Sequence, residues 1–143
     1  MKKISSLFLS LMLIMMSAVT FVSCSDASKV DAYVDLMNEQ LPKMSQAGVS
    51  FGGAKIAGKK IVIDMAFEVD YSSIGVDIKD IASEAEKSGV NAKTMVAASG
   101  DIERDLLEAV ANEGYSIVYR YKDASGATAD AEVSNADLKA ELN

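Results

Sequence analysis

The chain has 143 residues, 21 acidic against 14 basic, and a formal net charge of −7. It has no histidine and one cysteine, which excludes Ser-His-Asp and Cys-His catalysis, histidine-ligated zinc and any disulfide within the chain. The acidic balance also makes nucleic acid a poor partner.

Lys2 and Lys3 open the chain, and no further charge follows until Asp26. Leu7 to Val22 is rich in Leu, Met, Ile, Val and Phe and ends in Phe21-Val22-Ser23-Cys24. A basic start, a short apolar run and a small residue before a cut site describe a secretory signal peptide. With Cys24 in the next position, the segment resembles bacterial lipoprotein signals, of the relaxed kind common in the Bacteroidota. The resemblance implies cleavage before Cys24 and lipidation of that residue. The competing reading is an uncleaved membrane-spanning helix, which needs about 20 mostly apolar residues. Ser5, Ser6, Ser10, Ser17, Thr20 and Ser23 dilute the stretch and favour the signal.

Removing residues 1–23 takes away two basic and no acidic side chains, leaving 120 residues at a net charge of about −9. That length suits one domain, residues 29–143, behind a short tether, residues 24–28. An anionic leaflet would repel so acidic a domain, so the lipid on Cys24 is the expected membrane contact.

Val30, Tyr33, Val34, Met37, Leu41 and Met44 recur with helical spacing, Ser28 is the expected N-cap, and Pro42 should end the helix near Leu41. Lys60 to Asp70 alternates as a half-buried strand, with Ile61, Ile63, Met65, Phe67 and Val69 inward. A weaker strand, Val49 to Ile56, precedes it, with a bulge expected at Gly52-Gly53 and a turn at Ala57-Gly58-Lys59. A helical region from Asp77 to Glu113 carries two stripes, Ile78-Ile81-Ala85 and Ile102-Leu106-Ala109-Val110, and Gly114 stops it. A second hairpin runs from Tyr115 to Val133, and Ser134 with Asp137 caps a last short helix bearing Leu138 and Leu142.

Helix and hairpin thus occur twice, in residues 29–69 and 101–133. The predicted fold class is α+β: a two-layer sandwich in which two antiparallel β-hairpins form one sheet packed on amphipathic helices. With NEQLPK ahead of the first hairpin and GYSIVYRYKDASG in the second, the chain resembles a group of small exported bacterial envelope lipoproteins without an established activity. The group implies a fold and little more.

Several clusters invite a chemical reading. Gly53 to Lys60 imitates a phosphate-binding loop, but Lys60 stands where Ser or Thr must hold magnesium, and the segment precedes a strand. Asp31, Asp35 and Glu39 form a row on one helix. Asp101, Glu103 and Asp105 open another, where the helix dipole alone favours acids. Read as a calcium loop from Asp101, the chain has Leu106 and Asn112 where Gly and Glu are required. Asp64 and Glu68 are paired carboxylates of the kind glycosidases use, but a strand's solvent face gives the same spacing. Lys55, Lys59 and Lys60 make a basic patch that also suits a protected hairpin tip.

The expectation is an outer-membrane lipoprotein acting as a non-catalytic binding or accessory module through a sheet face or edge. It has no catalytic residue, metal or cofactor, and an envelope protein or glycan for a partner. The alternative is a small carboxylate-dependent hydrolase, which a pocket with convergent carboxylates would favour and a flat polar sheet face would not.

Overall fold

The structure, a computed structural model, describes residues 25–45 and 48–143. Cys24 lies outside the described residues, as does the Met44 side chain, the last of the first predicted stripe.

Helix α1 spans Asp26–Gln40. Its cap is Ser25, not the predicted Ser28: the Ser25 hydroxyl accepts the Ser28 amide at 3.3 Å, so Ser28 already lies in the first turn. Pro42 cannot donate a helical hydrogen bond, and the chain tightens into a 3-10 turn at Leu41–Met44. Val30, Tyr33, Met37 and Leu41 are buried as the spacing predicts, and Leu36 widens the stripe.

Strands β1 (Val49–Ala57) and β2 (Lys60–Phe67) form the first hairpin around Gly58, whose φ of +62° suits the tight turn. The predicted bulge falls between Phe51 and Gly53. It lets Phe51 and Ala54, three residues apart, both face inward and be buried. Val69, expected inward with Phe67, is 43% exposed because β2 has already ended and Asp70 caps a 3-10 turn, Tyr71–Ile74.

The region after it divides into α2 (Ile78–Ser88), α3 (Ala92–Ala98) and α4 (Asp101–Asn112). Asp77 and Asn91 cap the first two through backbone amides at 2.9 Å. The chain then enters β3 (Ser116–Lys122), β4 (Thr128–Val133) and α5 (Asn135–Leu142), the last capped by Ser134 on the Asp137 amide.

The sheet order is β1-β2-β3-β4. Both hairpins are antiparallel, but β2 and β3 pair parallel, with Ile63 opposite Tyr119. A parallel pair needs a long crossover, which the three intervening helices provide. All five described helices serve one face: α1 lies on β1 and α4, α2 on β4, and α5 on α3 and α4. Ile61, Ile63, Met65, Ile117, Tyr121 and Leu138 are buried to 1% exposure or less in the core between the layers. At the end of α4, Asn135 donates to the Ala111 and Tyr115 carbonyls at 2.9 Å and Lys59 to that of Glu113 at 3.0 Å, so α4's last carbonyls keep partners.

Candidate functional site

Among the described residues, no helix packs on the sheet's second face. Strand alternation sends Lys55, Lys60, Asp64, Arg120, Asp130 and Glu132 there. The acids among them are matched to cations: Asp64 to Lys55 at 3.8 Å, Asp130 to Arg120 at 3.0 Å and Glu132 to Lys60 at 3.1 Å. The last pair reaches across β3 and ties β2 to β4. Val62 and Val118, paired in register between these charges, are 3% and 2% exposed. The Lys and Arg side chains that share this face flank them, and such side chains lay aliphatic stems over apolar surface while their charges stay in water.

A shallow depression of about 260 Å³ opens beside the bulge, lined by Gly52, Asp64, Ala66, Arg120, Lys122 and Thr128. A second, of about 230 Å³, lies between the ends of α4 and α5 near Glu108 and Lys139. Each holds a single Asp or Glu side chain, so neither brings carboxylates together as a hydrolase needs. Among the described residues, no three His, Cys, Asp or Glu side chains gather to hold a metal ion.

The sheet edges carry helix side chains. Asn38 of α1 accepts the Ala54 amide at 2.7 Å and donates to the Ala54 carbonyl at 2.8 Å, as a neighbouring strand would. The glycine at Gly53 makes room, since a Cβ there would come within 3.1 Å of the Asn38 oxygen. On β4, Glu86 of α2 accepts the Glu132 amide at 3.1 Å. Both devices blunt an edge against pairing with another chain. Neither was legible in the sequence, where Asn38 and Glu86 look like solvent-facing helix residues.

The predicted clusters disperse. Asp31, Asp35 and Glu39 are exposed along α1, and Glu39 faces Lys43 at 3.6 Å. Lys55, Lys59 and Lys60 turn to separate partners, with Lys59 also 4.7 Å from the centre of the Tyr115 ring. The phosphate-loop imitation is the end of β1, a turn and the first residue of β2, so no helix N-terminus follows it. Asp64 is on the open face, and Glu68 lies beyond the end of β2.

The third acidic group splits. Asp101 and Asp105 are exposed, and Asp105 meets Lys29 of α1 at 2.9 Å. Glu103 is buried at 7% exposure, and burial raises its carboxyl from 4.5 to about 7. The predicted α4 stripe holds at Ala109 as well as at Leu106 and Val110 but begins one residue later: Ile102 is 42% exposed, while Glu103, Leu106, Leu107 and Val110 point inward. Glu103 stands three, four and seven residues before those apolar positions. Helical spacing therefore carried the signal, which the dipole explanation for first-turn acids concealed.

Asp123, in the second hairpin turn, is buried at 4% exposure and fully engaged. It accepts the Ser125 hydroxyl at 2.6 Å, the Ser125 amide at 2.9 Å and the Ala127 amide at 3.2 Å. These bonds, the Ser125 hydroxyl foremost, hold its carboxyl below the usual range and mark it as a turn-former.

No family model matches the chain, and no curated protein matches it in sequence. Its fold is shared with solved structures. A pilotin from the Vibrio vulnificus type 2 secretion system superimposes with a TM-score of 0.50 at 10% identity, over 79% of this chain and 91% of the pilotin. A secreted protein from Pseudomonas aeruginosa gives 0.50 at 11% identity, over 82% and 99%. At such identities the likeness is one of fold.

Proposed function

We propose that the chain is an exported lipoprotein, cleaved before Cys24, acylated on that residue and held in the outer membrane as a non-catalytic binding or accessory module. The observation that carries the non-catalytic half is the ion pairing on the uncovered sheet face. Asp64, Asp130 and Glu132 each have a cation beside them, and the pockets described hold no converging carboxylates. The fold shared with a type 2 secretion pilotin supports an accessory role in the envelope. The Lys2–Cys24 segment supports export and lipid anchoring. No helix among the described residues is long and apolar enough to cross a membrane.

With α1 beginning at Asp26, this reading leaves Ser25 as the link between a lipidated Cys24 and the first helix. One residue spans about 3.5 Å, which keeps the domain against the headgroups. Three acyl chains, each buried CH₂ contributing about 0.8 kcal/mol, make the anchoring effectively permanent. The partner is an envelope protein or glycan, and nucleic acid is not one.

Chemical cross-linking in native membranes tests this reading. Wild-type protein should capture an outer-membrane component that Cys24→Ala, left unprocessed and kept from the outer membrane, does not. Screens with glycosidase, peptidase and esterase substrates should show no turnover. A rate that Asp64→Asn or Glu68→Gln abolishes would replace the binding module with the hydrolase.

A further inference from the structure

Two buried oxygens on facing helices lack hydrogen-bond partners: Oε1 of Glu103 on α4 and the hydroxyl of Tyr33 on α1. Both side chains are buried, at 7% and 1% exposure. Tyr119 of β3 completes the group. Burial first, and then the neighbouring Glu103 charge, raise its hydroxyl; Tyr33 is raised by burial, then by Tyr119, then by Glu103. The remaining charged contacts of this seam lead elsewhere. Lys29 of α1 is bonded to Asp105 at 3.0 Å, and Arg104 faces Glu108 at 3.6 Å and the Leu142 carbonyl of α5 at 3.3 Å. Lys139 of α5 lies beside Glu108 at the far end of α4. Burial is what raises the Glu103 carboxyl. Its first-turn position on α4 favours the carboxylate only weakly, through the helix-end effect. Burial without a partner outweighs that.

We propose that Glu103 is a protonation-controlled latch between α1 and α4: the neutral acid lets α1 lie against α4, and the carboxylate loosens the seam. An ionised carboxylate there would hold its Oε1 buried and without a hydrogen-bond partner, near the Tyr33 and Tyr119 hydroxyls. The neutral acid instead buries no charge and carries a donor of its own, so the same position costs it far less. Local release of α1 relieves the charged form without unfolding the sheet.

The sign follows from linkage. The carboxyl is raised from 4.5 to about 7 in the closed seam. Between those values the closed form holds a proton that the open form has lost, so opening becomes easier as pH rises and levels off above 7. From pH 6 to pH 8 the opening equilibrium should shift roughly tenfold. Because α1 directly follows Cys24, a loosened α1 would lengthen the reach of a lipid-held domain. That consequence rests on the lipid reading, but the latch does not.

Hydrogen exchange of the full chain in non-ionic detergent, with rates corrected for base catalysis, tests the latch. Amides of α1 should open roughly tenfold more at pH 8 than at pH 6, those of β3 should not change, and Glu103→Gln should remove the difference. Equal protection of α1 at both pH values, equal loosening of α1 and β3, or an unchanged response in Glu103→Gln would overturn the proposal. Should that variant fail to fold, carboxyl NMR of the wild-type chain decides: Glu103 should titrate near 7, and a midpoint in the ordinary carboxylate range, about 4.3, would overturn it.

Discussion

Ile63 and Val62 are neighbours in β2, 0% and 3% exposed, yet they are buried by different means. Ile63 and its partner Tyr119 lie in the core under the helices, whereas Val62 and its partner Val118 lie outside that core, on the face that carries the ion-paired Lys and Arg side chains. One face is shielded by packed apolar surface and the other by side chains held in surface ion pairs, each worth about 0–1 kcal/mol. Equal exposure therefore conceals unequal security. Cover on the open face depends on flexible side chains, while cover on the helix face depends on the whole layer.

Substitutions can break that contrast at graded cost. Phe67→Ala, on the helix face between Tyr71 and Tyr121 at 5.5 and 5.7 Å, should lose roughly 3–5 kcal/mol in urea unfolding. A loss below about 1 kcal/mol would mean that this face is not a packed core. Asn38→Ala leaves the Ala54 amide and carbonyl without their side-chain partners. It should cost about 1–3 kcal/mol and, with the edge unblocked, produce association that grows with concentration in light scattering. A stable variant that stays monomeric would remove the edge-blocking role.

Val62→Ala sharpens the comparison. Losing two methyl groups should cost about 1.5 kcal/mol. That cost should shrink in a Lys60→Ala background, where the cover is already thinner, while the cost of Ile63→Ala stays the same. Equal coupling of Lys60 to both positions would contradict the account of the open face. Glu68→Ala, beyond the end of β2, should stay within about 0.5 kcal/mol.

The sequence shows most of the helix face and little of the open one. The α+β class, both hairpins and the Gly52-Gly53 bulge follow from periodicity and glycine placement, because those patterns record which face is buried. Val69 and Ile102 were misassigned because periodicity does not mark where an element ends or how far its stripe is rotated. Ser28 took the cap from Ser25 because both hydroxyls precede the apolar run. The parallel pairing of β2 with β3, the cover over Val62 and the edge contacts of Asn38 and Glu86 join residues far apart in the chain, and no local pattern encodes them. Glu103 was within reach, since it shares a helical face with Leu106, Leu107 and Val110.

The central claim is that this domain works from a lipid on Cys24. Intact-mass spectrometry of protein extracted from native outer membranes tests it directly. The account predicts a chain beginning at Cys24 with a mass raised by acyl groups, and loss of both processing and acylation in Cys24→Ala. An unacylated chain that retains Met1 and remains in the membrane would contradict it.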